Sequence, residues 1–328
     1  MVKYICKRLG LAVIILLGVS LIIYFLIRLM PFDYVQQTIA GIDTGALSEE
    51  AVKAMYEAYG LSDNSFWGII KGYFEWLWRL VRFDMGISFV YSQPVIDVIV
   101  SHMGVSFVVS FISIILEFLI AIPLGITAAT HQYSFRDYLV TVLVMIGISL
   151  PSFFFGQMLK DFFSLKLGWF PPSGMIDASQ NYTGIALLLD YARHLVIPLV
   201  TMTIISIGGR MRYTRTNMLE VLSADYIRTA RAKGLPESKV IYKHAFRNTL
   251  IPLVTTMAAI LPTLFSGAMI TEQVFDLPGI GNVAYQAMMK ADIPFMMGYN
   301  MFLALLSVIG VLLADVMYAV VDPRVKLA

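Results

Sequence analysis

The stretch DYIRTARAKGLPESKVIYKHAFRNTLIP, residues 225–252, is a polar segment between two apolar runs. It predicts a helix that ends at Gly234, a restart at Pro236 and then a second helix, because glycine favours helix ends and proline favours first turns. Basic residues recur through the polar segment, at positions 228, 231, 233, 239, 243 and 247. A basic stretch between membrane helices is expected on the cytoplasmic face, where it is long enough to bind a soluble partner.

The composition of the whole chain is that of a polytopic membrane protein. Of the 328 residues, 58% are hydrophobic and only 14% are charged, whereas soluble domains carry about 25% charged residues. The net charge of +2 gives no argument for nucleic-acid binding. A single cysteine, Cys6, excludes an internal disulfide and a cysteine-cluster metal site, and the four histidines show no ligand spacing.

Apolar runs of roughly 20 residues, the length that crosses a bilayer, predict an all-α fold with six transmembrane helices. These spans, numbered one to six, are expected at residues 9–27, 105–129, 138–163, 194–210, 248–270 and 298–321. Span one follows three basic residues, and no small-x-small cleavage site comes directly after it. It is therefore interpreted as an uncleaved anchor.

Charge asymmetry predicts that both termini are cytoplasmic. In that orientation fifteen of the 24 lysines and arginines lie on the cytoplasmic side, as the positive-inside rule requires. An extracellular insertion then follows span one, with an expected helix over 46–59 and an amphipathic, interfacial helix over 66–83. The predicted division of the chain is an N-terminal helix at 1–29, the insertion at 30–103 and a five-helix core at 104–328 with a cytoplasmic loop at 211–249.

Several motifs resemble the bacterial ABC importer permeases of the dipeptide, oligopeptide and nickel family. RTARAKG at 228–234, followed by NTLIP at 248–252, is similar to the family's EAA coupling loop. Arg228 stands where the general motif has Glu, and Gly234 matches its glycine. Other stretches are similar to family motifs in the same order, namely FDMGISF at 83–89 with Pro94-Val95, LGWFPPSG at 167–174, EQVFDLPGIG at 272–281 and DPR at 322–324.

This resemblance implies a type I ABC importer permease fold in the bacterial inner membrane. The long insertion is typical of the first permease of a pair. The implied partners are a second homologous permease, two ATP-binding subunits that hold the ATP and Mg²⁺, an extracellular solute-binding protein and the lipid bilayer. This chain itself is expected to bind no cofactor and to have no catalytic residue.

The function that the resemblance implies is to form half of an uptake pathway for dipeptides or oligopeptides. One alternative is the same role for nickel chelates or another small solute. Another is ion-coupled secondary transport, which predicts inverted repeats. No such repeats are visible in the sequence.

The residues expected to couple this chain to the ATP-binding subunits lie in the first helix of the polar segment and its glycine. They are Asp225, Tyr226, Arg228, Thr229, Ala230, Arg231, Ala232, Lys233 and Gly234. Small and apolar contact surface is expected from Tyr226, Ile227, Ala230 and Leu235, and charged hydrogen bonds from the basic side chains. The alternative is a solvated loop that only obeys the positive-inside rule.

Prolines and polar residues within the spans predict where the pathway runs, because broken helices persist in lipid where they face protein or a water-filled cavity. The candidates are Glu117, Pro151, Pro252, Thr255, Thr256, Pro262, Thr263 and Ser266. Span five is favoured since it has two prolines and a polar side. Ordinary packing and kinking is the alternative for any single residue.

Glu117 falls near the middle of predicted span two, and Asp315 falls near the inner end of predicted span six. An ionisable group in a membrane indicates function by default, and proton coupling would need a relay beside it. No Arg, Lys or His lies in the central part of any predicted span. Structural pairing or a cavity-lining role is therefore favoured for both. The sequence also has no phosphate-binding P-loop and no nucleophile elbow.

Overall fold

The computed structural model describes residues 2–29, 65–250 and 260–321. Within these ranges the regular structure is helical, and one isolated bridge joins Ile87 and Pro94. Several sequence predictions fall outside the described residues: the helix over 46–59, the motif at 322–324 and the pathway candidates Pro252, Thr255 and Thr256.

The described helices are numbered here in chain order. They are α1 (Val2–Arg28), α2 (Phe66–Val81), α3 (Val95–Thr130), α4 (Phe135–Ser149), α5 (Ser152–Leu159, continued by a π-helix over Lys160–Lys166), α6 (Ile185–Leu222), α7 (Asp225–Ala232), α8 (Glu237–Lys239, continued by a π-helix over Val240–Phe246), α9 (Ile260–Ser266), α10 (Met269–Phe275), α11 (Ile280–Met289) and α12 (Ile293–Val321). The most extensive packing between any two of them joins α3 and α6.

Four of the described helices, α1, α3, α6 and α12, are long and apolar enough to cross a membrane. Predicted span three, expected as one helix over 138–163, is instead the pair α4 and α5, with a bend of 99° between them. The break falls at Leu150-Pro151, because proline has no amide hydrogen and disfavours helical geometry in the residue before it. Predicted span five contains undescribed residues, so the number of six helices stays a prediction.

The helices of spans two and four extend furthest beyond their predicted bounds. α3 begins at Val95, directly after Pro94, and α6 covers Ile185–Leu222 rather than 194–210 alone. The predicted end of span four was Arg210, a charged residue. In the structure Nε of Arg210 lies 3.0 Å from Oε1 of Glu117 in α3. A charge that is paired inside a helix bundle does not have to end a span.

The helices α3 and α6 approach each other closely where they cross at Gly125. A β-carbon at this position would lie 2.7 Å from Cβ of Thr214 and 2.9 Å from the carbonyl oxygen of Met211. Beside the crossing, Arg215 donates hydrogen bonds of 2.9 and 2.8 Å to the two carboxylate oxygens of Asp137 in α4. These contacts join α3, α4 and α6.

The expected loop after span five forms two short helices, α10 and α11, around a buried carboxylate. Glu272 is only 1% exposed, and its Oε1 accepts hydrogen bonds from the hydroxyl of Ser106 at 2.7 Å and the amide of Ala268 at 3.0 Å. Its Oε2 accepts the amide of Asn282 at 3.0 Å. The hydrogen bond from Ser106 fixes this turn to α3, and a contact between residues so far apart in the sequence leaves no local signal.

The amphipathic helix expected over 66–83 forms as α2. It packs against α1 and α12 through a cluster that includes Tyr24, Tyr73 and Trp76. Its other side exposes Trp67 and Trp78. This division into a packed and an exposed aromatic side is typical of interfacial helices, and the position of α2 in the membrane interface stays a prediction.

Gly125→Ala is expected to destabilise the protein, because the added methyl group would overlap the backbone of α6. Overpacking of this kind costs about 1–3 kcal/mol, so we expect a lower unfolding temperature for the purified protein in detergent. Gly104→Ala on the same helix is the matched control, since a β-carbon there meets nothing within 4 Å. Equal unfolding temperatures for the two variants would contradict the close crossing.

Glu272→Gln is expected to loosen α10 and α11. Both carboxylate oxygens of Glu272 accept hydrogen bonds, and in the variant one of them is replaced by an NH₂ group that faces another donor. A buried hydrogen-bonding group left without a partner costs about 1–3 kcal/mol. We expect faster amide hydrogen exchange over residues 269–289, measured by mass spectrometry. The exposed Glu220 of α6 provides the control variant Glu220→Gln, and similar exchange in both variants would show that Glu272 does not fix the turn.

Candidate functional site

The first helix of the polar segment forms as predicted, over Asp225–Ala232. The chain then turns at Gly234, whose φ of +72° lies in the left-handed region that favours glycine. Pro236 caps the next helix, which begins at Glu237. The helix, stop and restart that the sequence predicts are therefore confirmed.

One face of α7 packs against the protein itself. Ile227 is fully buried and Ala230 is 6% exposed, in a cluster with Ile126 of α3 and Met218 of α6. Ile227 and Ala230, which were expected to offer contact surface to another subunit, are turned inward in this chain by hydrophobic burial. Their hydrophobic contacts hold α7 against the ends of α3 and α6.

The opposite face of α7 and the turn after it are exposed. Tyr226 exposes 48% of its surface. The other outward-facing residues are Asp225, Arg228, Thr229, Arg231, Ala232, Lys233 and Gly234. Of the nine residues expected to couple this chain to the ATP-binding subunits, all except Ala230 are thus accessible in this chain.

An ion pair between Arg231 and Glu237 closes the turn across Gly234. Nη2 and Nε of Arg231 lie 2.7 and 3.2 Å from Oε1 of Glu237. The hydrogen bonds of this pair lower the pKa of the Glu237 carboxyl and raise the pKa of Arg231. Because the carboxyl pKa is lowered on folding, the pair's contribution is present at neutral pH and is lost as the pH falls through that pKa. Arg228 forms only a looser pair, 3.5 Å from Asp225.

A second candidate site is a cavity of about 570 Å³ between α3, α6 and α9. Its polar lining includes Ser110, Ser113 and Glu117 from α3, Ser206 and Arg210 from α6, and Thr263 from α9. Ligand pockets usually measure about 300–1,000 Å³. The cavity therefore has the size and the polar groups to hold a small solute.

The charged part of the cavity is the ion pair of Glu117 and Arg210. Their side chains are 8% and 19% exposed, and the guanidinium of Arg210 also lies 4.7 Å from the ring centroid of Phe118. The sequence identified the carboxylate but missed its basic partner, because Arg210 was placed at the end of predicted span four. Glu117 is thus both paired and cavity-lining in this structure.

Sequence reasoning also missed a polar stripe along α3. Ser106, Ser110, Ser113 and Glu117 are buried and follow each other at intervals of four, three and four residues, which places them on one helix face. Ser106 binds Glu272, whereas the other three line the cavity. The helical spacing of polar residues in an otherwise apolar span was the signal that could have revealed them.

The remaining pathway candidates in the described residues lie in different places. Thr263 lines the cavity, and its neighbours Pro262 and Ser266 are half-buried on α9. Pro151 is exposed at the bend before α5. Of the five predicted pathway residues that the structure describes, Glu117 and Thr263 are therefore brought together at the cavity.

The second predicted intramembrane carboxylate belongs to neither site. Asp315 of α12 lies 3.1 Å from the guanidinium of Arg8 in α1, which agrees with the structural pairing favoured for it. Among the described residues, no group of three or more His, Cys, Asp and Glu side chains could hold a metal ion.

Known proteins resemble this chain over nearly its whole length. Residues 121–327 match the family described as the binding-protein-dependent transport system inner membrane component. The oligopeptide transport system permease protein AppB of Bacillus subtilis is 34% identical over 327 residues, covering 99% of this chain and 100% of the relative. The dipeptide transport system permease protein DppB of Escherichia coli is 32% identical over 343 residues, covering 99% of each chain.

The fold also resembles a solved transporter. A chain from the inward-facing MetNI methionine ABC transporter aligns with a TM-score of 0.53, covering 70% of this chain and 99% of that chain, at 18% sequence identity. At this identity the likeness concerns the fold alone. Together with the relatives that match from end to end, it places the helical core among the ABC importer permeases. The chain belongs to the family of binding-protein-dependent transport system inner membrane components, which are non-catalytic permease subunits.

Proposed function

We propose that this chain is one of two permease subunits of an ATP-driven bacterial importer for dipeptides or oligopeptides. The relatives named as oligopeptide and dipeptide permeases support the solute class. The coupling role is supported by the way in which α7 packs. Its inner face is buried against α3 and α6, and its outer face is basic and exposed. Such a helix can bind a soluble subunit on one side and move membrane helices on the other.

The proposal includes the membrane arrangement expected from the sequence. The chain spans the inner membrane six times with both termini in the cytoplasm, and residues 30–103 lie outside. It is the first permease of the pair, and its partners are a second permease, two ATP-binding subunits and an extracellular solute-binding protein. The ATP-binding subunits hold ATP and Mg²⁺. The charge asymmetry of the chain supports the orientation with both termini in the cytoplasm.

The contacts of α7 suggest how motion is transmitted. Closure of the ATP-binding subunits displaces α7, and the buried contacts of Ile227 and Ala230 carry this displacement to α3 and α6. The same two helices form most of the cavity wall and are tied together by Glu117 and Arg210. A shift at α7 therefore moves the cavity wall with it, which is the step that alternating access requires.

A double variant, Arg228→Glu with Lys233→Glu, tests the coupling role. Reversing two exposed charges at a docking surface is expected to weaken subunit binding, because like charges then face each other. We expect the ATPase activity stimulated by the binding protein to fall by roughly tenfold in the reconstituted importer, the change produced by about 1.4 kcal/mol.

Arg136→Glu is the matched control for this experiment. Arg136 is also an exposed cation, but it lies in the first turn of α4, outside the polar segment. We expect its ATPase activity to stay near that of the wild type. Wild-type ATPase activity in the double variant would contradict the proposed function. So would purification of the wild-type chain from its own cells without any ATP-binding subunit bound to it.

A further inference from the structure

Several polar atoms that line the cavity have no protein partner in the described part of the chain. The hydroxyls of Ser110, Ser113 and Ser206 make no hydrogen bond there. Glu117 uses only Oε1, which accepts from Arg210, so its Oε2 is also without a hydrogen bond among these residues. These four groups all border the same space.

Three of these four residues are buried, whereas Ser206 is exposed. Ser110, Ser113 and Glu117 are 3%, 4% and 6% exposed, and a buried polar group without a partner is unfavourable. On α6, Thr201 and Thr214 donate to carbonyls one turn earlier, at 2.8 and 2.9 Å, whereas the buried hydroxyl of Thr203 has no partner among the described residues. The groups at the cavity are thus left open to whatever occupies it.

Their chemistry selects the occupant. Oε2 of Glu117 is an anionic acceptor, and a group with several N–H donors and a positive charge fits it best. Serine hydroxyls can donate to a carbonyl and accept from an amide N–H, so they suit an adjacent peptide bond. An anionic solute would be repelled by the carboxylate, and an apolar solute would leave all four groups unsatisfied.

We propose that this cavity is a transport subsite for the amino terminus of a peptide, with its ammonium on Oε2 of Glu117 and its first peptide group between Ser110, Ser113 and Ser206. The inference rests on the proposed function. Arg210 is a positioning residue in this subsite, because its hydrogen bond to Oε1 orients the carboxylate and leaves Oε2 toward the solute. The site lies on α3 and α6, so movement of α7 changes its access.

Glu117→Gln tests the proposal with little change in shape. Its amide oxygen can keep the hydrogen bond from Arg210, while its NH₂ group replaces the acceptor that would bind the ammonium. The whole importer is reconstituted in liposomes with ATP inside and no pH gradient. Uptake is measured with radiolabelled alanine peptides of two to five residues. The peptide that the wild-type importer takes up is then used as the substrate for the variants.

We expect peptide uptake by Glu117→Gln to fall by about tenfold or more, the scale of one lost charge-assisted hydrogen bond. Assembly with the ATP-binding subunits stays at the wild-type level, because α7 is unchanged. Asp315→Asn is the matched control, since it removes a carboxylate that pairs with Arg8 away from the cavity. Its uptake stays within twofold of the wild type.

A second variant covers the case in which Glu117→Gln fails to assemble. Ser110→Ala with Ser113→Ala leaves the ion pair intact and removes two of the unpartnered hydroxyls, so we expect uptake to fall severalfold. Normal uptake in an assembled Glu117→Gln importer, or in the serine variant, would overturn the subsite. A wild-type importer that takes up none of the peptides would instead overturn the proposed function, and the subsite with it.

Discussion

The contact between α3 and α6 is the constraint on which the rest of the structure depends. It is close because Gly125 leaves room for the backbone of α6, and Glu117 and Arg210 join the helices again farther along. One end of this helix pair carries α7, and its middle forms the wall of the polar cavity. The contact thus places the candidate coupling surface and the candidate solute site on one unit.

Buried charges account for much of this organisation. Arg210 and Arg215 both lie within α6. The positive charge of each is neutralised by a carboxylate on a neighbouring helix. A buried ion pair adds little stability by itself, because desolvation offsets the attraction. Its consequence here is geometric: α3, α4 and α6 are held in one register, and one carboxylate oxygen remains open to the cavity.

Local signals in the sequence were sufficient for some elements. The glycine and proline at 234 and 236 predicted the turn after α7, and apolar length located α1, α3 and α12. What the sequence could not reveal depends on contacts between distant residues. The extension of α6 past Arg210, the inward face of α7 and the helices around Glu272 all follow from partners more than 80 residues away or on another helix.

The most direct test of the central claim is whether the polar segment and α3 move as one body. Spin labels at Ser238→Cys and Gly104→Cys, both exposed, in a Cys6→Ser background would report their separation by pulsed electron resonance in the assembled importer. The account predicts the same distance distribution without ATP and with ATP bound, while distances from either label to the second permease change. A shift in the distance between the two labels on this chain would contradict rigid transmission from the coupling surface to the cavity.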